Sequence, residues 1–157
     1  MVKSDWLKLV ACLLLTVGLG SLGGLFTAPQ IQTWYVYLQK PSFNPPNWVF
    51  APVWITLYLL MGISLFLIIR MPKTVYRNQS LQFFACQFTL NICWSFIFFN
   101  QHQIGLALLN IMLMWVFSLL TIIWFLRQNA VAGWLLIPYL FWVSFATILN
   151  AAILRLN

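Results

Sequence analysis

The chain is 157 residues long, 63% hydrophobic and 6% charged, with eight Lys or Arg against a single acid, Asp5. Its mean hydropathy is +0.93. Soluble domains carry about 25% charged residues, and disorder needs low hydrophobicity with high charge, so both classes are excluded. The apolar runs are long and continuous rather than alternating, which excludes a β-barrel. An all-α polytopic membrane protein remains.

One acid also removes much chemistry. Asp5 lies at the extreme N-terminus, outside any apolar run. No carboxylate pair exists for acid/base hydrolysis, no acidic cluster for Mg²⁺ or Ca²⁺, and no buried carboxylate for proton or sodium coupling. No phosphate-loop, dinucleotide or zinc-protease motif occurs, so no cofactor or metal is expected. The net charge of +7 follows the positive-inside rule and is no argument for nucleic acid.

A bilayer crossing needs about 20 apolar residues. Five such spans are predicted, over residues 7–26, 48–69, 81–99, 104–126 and 132–154, forming one bundle across residues 1–157. The first has a basic start at Lys3 and Lys8, but its apolar run is too long for a signal peptide. Lys3, Lys8, Arg70, Lys73, Arg77 and Arg127 fall on one side, and Lys40 and Arg155 on the other. The rule therefore predicts a cytoplasmic N-terminus and a C-terminus on the opposite side. Gly20 and Gly24 form a G-x-x-x-G pair in the first span, serving either a dimer or close packing inside the bundle. Cys12, Cys86 and Cys93 read as small packing residues.

The connection over residues 27–47 is long for a loop and is not disordered in composition, holding Trp34, Tyr35, Tyr37, Leu38 and Phe43. Pro41, Pro45 and Pro46 forbid a regular helix there. A short amphipathic turn near Trp34–Leu38, followed by a rigid extended stretch, is expected. It reads either as a lid over the bundle mouth or as an aromatic belt at the lipid interface.

Trp54 and Tyr58 share a face of the second span. Asn91, Trp94 and Ser95 share a face of the third, where Asn91 is either an interhelical tie or a polar contact for a ligand. Tyr139, Trp142, Ala146 and Asn150 share a face of the fifth, and Pro138 should kink it or loosen its first turns. Several of the nine Trp sit inside spans, either as core or as walls for a flat apolar guest. His102, the sole histidine, lies in the polar stretch NQHQ and reads as a solvated loop residue before a lone haem ligand.

The run from Trp34 to Trp54, WYVYLQKPSFNPPNWVFAPVW, resembles the signature of the tryptophan-rich sensory protein and translocator protein family, also called the peripheral benzodiazepine receptor family. The likeness continues through NICWSFIFF and WLLIPYLFWVSFATILN and covers the whole chain. It implies a five-helix transmembrane bundle, often a homodimer in the bacterial cell membrane. It also implies a cavity for protoporphyrin IX, haem-like tetrapyrroles or drugs beneath the first loop. Carried over residue by residue, the ligand-binding set is Tyr35, Pro45, Trp54, Tyr58, Asn91, Trp94, Ser95, Trp142 and Ala146. Trp54 and Trp142 match the tryptophans linked to light-dependent porphyrin breakdown, so the resemblance allows a receptor or sensor, a translocator, or a degrading enzyme. Two positions depart from the pattern. Ala151 replaces the Tyr of the sterol motif of animal members, although Arg155 remains, which puts sterol affinity in doubt. Asn110 stands where many relatives carry Asp.

Overall fold

A computed structural model describes the backbone of residues 3–157 and the side chains from Asp5 onward. Lys3, counted in the charge asymmetry, has its side chain outside the described residues. Five helices are long and apolar enough to cross a membrane: Asp5–Thr33, Asn47–Ile69, Val75–Asn100, Ile104–Leu126 and Ala130–Leu156. At 1.5 Å per residue, lengths of 23 to 29 residues reach about 35 to 44 Å, more than the roughly 30 Å hydrocarbon core. No strand occurs among the described residues.

The second and fourth spans end within one residue of their expected bounds. The other three spans extend further. The first helix continues to Thr33 rather than stopping at residue 26, so the loop proper is residues 34–46. Hydropathy marks where the bilayer stops, whereas helix hydrogen bonding continues past it. Thr27 and Thr33 return their hydroxyls to the carbonyls of Gly23 and Pro29, at 3.0 and 2.8 Å. The third helix starts at Val75, where Thr74 Oγ1 caps it by accepting from the Arg77 N–H at 3.1 Å. The fifth starts at Ala130, with Asn129 Oδ1 accepting from the Ala132 N–H at 3.0 Å. Its regular winding breaks between Leu135 and Ile137. Pro138 cannot donate there, and the interruption falls in the first turns, where loosening was expected.

Two wider π-type turns were not foreseen, at Leu14–Leu19 and Phe96–Asn100. Such turns are rare and cluster at functional sites. Here the first leads into the cavity-lining Gly20 and the second contains the cavity-lining Phe98 and Phe99.

The spans pack in a definite order. The third lies along the fourth, and the fourth along the fifth. The first lies on the second over its early half, then crosses to the third over Gly20–Thr33, where it touches the second little. Polar ties join neighbours: Asn110 Nδ2 to the Leu90 carbonyl at 2.8 Å, Trp115 Nε1 to Ser144 Oγ at 2.7 Å, and Ser64 Oγ to the Ala132 carbonyl at 2.7 Å. In a bilayer such bonds and close packing replace the hydrophobic drive between helices. Met61, Ile68, Phe125 and Val143 form the closed centre, while Leu25, Leu109, Leu113 and Phe141 point outward, as lipid-facing residues do. Cys86 is also exposed, so it faces outward instead of packing within the chain.

The cations divide between two ends. Asp5 pairs with Lys8 at 3.9 Å and with Arg70 at 3.4 Å, joining the starts and ends of the first two spans. Lys40 lies at the opposite end with the C-terminal residue, which bonds the loop at Gln39.

Candidate functional site

Where the first span leaves the second, a cavity of about 300 Å³ opens. Glycines allow it to be narrow. A Cβ on Gly20 would lie 2.6 Å from the Tyr58 ring, and one on Gly23 would lie 2.8 Å from Ser95 Oγ. Gly24 meets nothing within 4 Å. Within the chain the two glycines of the G-x-x-x-G pair differ: Gly20 is pressed on an aromatic ring, while Gly24 borders open space.

The second span supplies Trp54 and Tyr58, whose rings stack at 5.5 Å and 27°. Trp54 also meets Trp142 of the fifth span edge-on, at 6.5 Å and 90°. Such offset and edge contacts suit the ring quadrupoles and hold the indoles in place. The Trp142 Nε1 group is buried without a hydrogen-bond partner, a cost the fold carries at this wall. Ala146, one turn further along, keeps that side open. The third span supplies Trp94, stacked on Phe98 at 5.2 Å. Trp94 Nε1 donates to Asn150 Oδ1 at 3.0 Å, and Asn150 Nδ2 donates to the Ile104 carbonyl at 3.1 Å. Asn150 thus satisfies one indole and ties the fifth span to the fourth.

Behind this wall Tyr58 donates its hydroxyl to Asn91 Oδ1 at 2.9 Å, and Asn91 Nδ2 reaches the Tyr139 hydroxyl at 3.5 Å. Asn91 is buried and joins three spans, so the interhelical-tie reading describes its contacts.

The loop closes one end. Tyr35 begins a short 3-10 turn, Tyr35–Tyr37, and is buried above Phe98 and Phe99. Its hydroxyl donates to Asn44 Oδ1 at 2.8 Å. Lys40 Nζ sits 4.8 Å from the Tyr35 ring centroid and donates to the Leu38 carbonyl at 2.9 Å. Burial pushes the Tyr35 phenol up to about 12, with the Asn44 contact opposing part of that shift. Two further clasps hold the loop. The Trp34 and His102 rings stack at 4.2 Å and 19°, with His102 Nε2 3.2 Å from Gln30 Oε1. His102 takes a positive φ of 57° to do so. The Asn157 amide accepts from Gln39 N–H and donates to its carbonyl, both at 3.0 Å.

Of the nine residues carried over from the family pattern, seven border the cavity: Tyr35, Trp54, Tyr58, Trp94, Ser95, Trp142 and Ala146. Pro45 and Asn91 do not. Pro45 lies in the loop, its carbonyl accepting from Asn44 Nδ2 at 3.1 Å. Sequence reading missed Asn44, the glycine wall and the Asn157 clasp. Only the glycines gave a signal, through their clustering. His102 was expected in solvent; it is exposed yet stacked on Trp34. Among the described residues no group of three metal-ligating side chains occurs.

Known proteins resemble this sequence. Residues 11–156 fit the model of the TspO/MBR family. The chain belongs to the TspO/MBR family. It is 41% identical over 152 residues to the tryptophan-rich protein TspO of Chlorobaculum tepidum, covering 96% of each chain. It is 39% identical over 124 residues to the tryptophan-rich sensory protein of Cereibacter sphaeroides, covering 79% of this chain and 77% of that one. The human translocator protein is 36% identical over 140 residues, 86% of this chain and 81% of the relative. Membership in the TspO/MBR family and five spans make this a multi-pass membrane protein.

Proposed function

We propose that this TspO/MBR protein is a membrane receptor or sensor whose cavity binds a porphyrin or related tetrapyrrole. One observation carries the reading: Trp54, Tyr58, Trp94 and Trp142, on three different spans, present rings to one cavity that the loop closes. Flat aromatic walls with few polar groups favour a planar apolar guest. The names of the relatives, sensory protein and translocator protein, agree with a role in handling or reporting such a ligand. The volume of about 300 Å³ stands at the lower end for small-molecule pockets. A full macrocycle therefore requires the loop to lift, or extends between the first and second spans past Gly24 and Ala51. The one acid of the chain, Asp5, lies away from the cavity, so no carboxylate there couples an ion and we read any transport as following a gradient. The basic end, with Arg70, Arg77 and Arg127, is assigned to the cytoplasm on charge alone.

The test is a protoporphyrin IX titration in detergent and darkness, read by tryptophan fluorescence quenching. Saturable binding should weaken at least tenfold in Ala146→Phe, which fills the cavity. Equal affinity in that variant and the parent would remove the ligand from this site.

A second reading, light-dependent porphyrin breakdown, has its own observation in the edge-on Trp54–Trp142 pair. Excited porphyrin is an oxidant and indole is the most readily oxidised ring beside it; the chromophore supplies the reactivity and the protein the placement. Protein-dependent bleaching under light, slowed in Trp54→Phe, would support it. Bleaching equal to that of free porphyrin in detergent would end it.

A further inference from the structure

The basic end carries a second concavity, remote from the cavity under the loop. It lies between the connection after the second span and the end of the fourth, with Thr74, Tyr76, Trp124, Arg127 and Gln128 at its border and a volume of about 430 Å³. Its walls are held in place. The Tyr76 and Trp124 rings stack at 6.1 Å and 28°. Gln128 Nε2 donates to Ser80 Oγ and, at 3.2 Å, to the Trp124 carbonyl. The Arg127 guanidinium rests 5.4 Å from the Trp124 ring centroid, which orients its planar fork and leaves its N–H edges free.

The charge count at this end does not close within the protein. The chain has one acid, and Asp5 is already shared between Lys8 and Arg70. Lys73, Arg77 and Arg127 have no acid partner among the described residues. Arg77 is turned inward, donating to the Ile69 and Met71 carbonyls at 3.3 and 3.0 Å. Lys73 and Arg127 are exposed. The concavity sits where the spans end, and the exposed apolar Val75 and Ile123 are sequence neighbours of its bordering residues Thr74, Tyr76 and Trp124.

We infer that this groove is a binding site for the phosphate headgroup of an anionic phospholipid, with Arg127 at its border supplying the counter-charge, Lys73, which stands in sequence between the bordering Pro72 and Thr74, adding to it, and the Tyr76–Trp124 stack flanking the headgroup. An anionic headgroup supplies the missing charge at the depth where the groove lies, and its acyl chains continue along Val75 and Ile123. Neither a soluble anion nor a zwitterionic lipid satisfies both conditions.

The experiment is native mass spectrometry of the full chain released from detergent, with phosphatidylglycerol or phosphatidylcholine added at matched concentration. The parent protein should retain phosphatidylglycerol in preference. The preference should fall roughly fivefold for each cation removed in Arg127→Gln and Lys73→Gln, and Arg127→Lys should keep most of it. Thermal unfolding without added lipid reports whether each variant is folded. Equal retention of the two lipids by the parent, or an unchanged preference in the folded double variant, would overturn the assignment. Displacement of phosphatidylglycerol by millimolar inorganic phosphate alone would assign the groove to a free anion instead of a lipid.

Discussion

The bundle has two halves built from the same kinds of residue. In one, Met61, Ile68, Phe125 and Val143 close completely. In the other, equally rich in apolar and aromatic side chains, a cavity remains. The difference lies in the path of the first span. Near the closed half it lies on the second span, and Gly62 lets it approach so closely that a Cβ would meet Thr16 Oγ1 at 2.6 Å and the Leu13 Cα at 3.2 Å. Past Gly20 the same helix departs toward the third span. Aromatic composition alone makes neither core nor cavity; the divergence of two helices decides which one results.

The largest test of that contrast exchanges glycines between the halves. Gly62→Val should cost about 1–3 kcal/mol through overpacking against backbone, seen as a lowered thermal midpoint in detergent. Gly24→Ala meets open space and should gain up to about 1 kcal/mol from helix propensity. Equal losses in both would mean the halves are packed alike. Next in size is Asn150→Leu, which leaves the Trp94 N–H without a partner and removes the tie to the Ile104 carbonyl. About 1 kcal/mol is expected, the usual size of such bonds between membrane helices, together with a red or blue shift of Trp94 emission measured against a Trp94→Phe control.

A finer comparison lies inside the cavity wall. Trp94 has its N–H bonded and Trp142 does not. Trp94→Phe should therefore destabilise more than Trp142→Phe, by about 1 kcal/mol, in paired unfolding curves. The smallest effect concerns the loop. The buried Tyr35 phenol holds its proton up to about 12, against an ordinary value of 10. The folded loop thus binds that proton more tightly than the unfolded chain does. Its stabilisation is complete below pH 10 and declines as pH rises toward 12. Chymotrypsin cleavage between Tyr35 and Val36, compared after brief exposure to each pH and return to neutrality with irreversible opening scored, should rise in that window for the parent. Tyr35→Phe should show no such step.

The amino-acid sequence by itself determined the solvent, the number of spans and the chemical character of the site. These follow from local quantities: 20-residue apolar runs, the scarcity of acids, and aromatic residues recurring at helical spacing. It also placed the helix break beside Pro138, because a missing N–H is a property of one residue. Tertiary structure decided the rest. Helix ends at Thr33 and Val75 depend on caps and hydroxyl contacts that hydropathy does not measure. Asn91 and Trp94 lie three residues apart on one face, yet one stands behind the wall and the other forms it, since the neighbouring spans approach that face at different depths. The Asn157–Gln39 and His102–Trp34 clasps join residues far apart in the chain, and no periodicity records them. The cavity itself exists because the first helix crosses from one neighbour to another, a choice made by the summed contacts of whole helices.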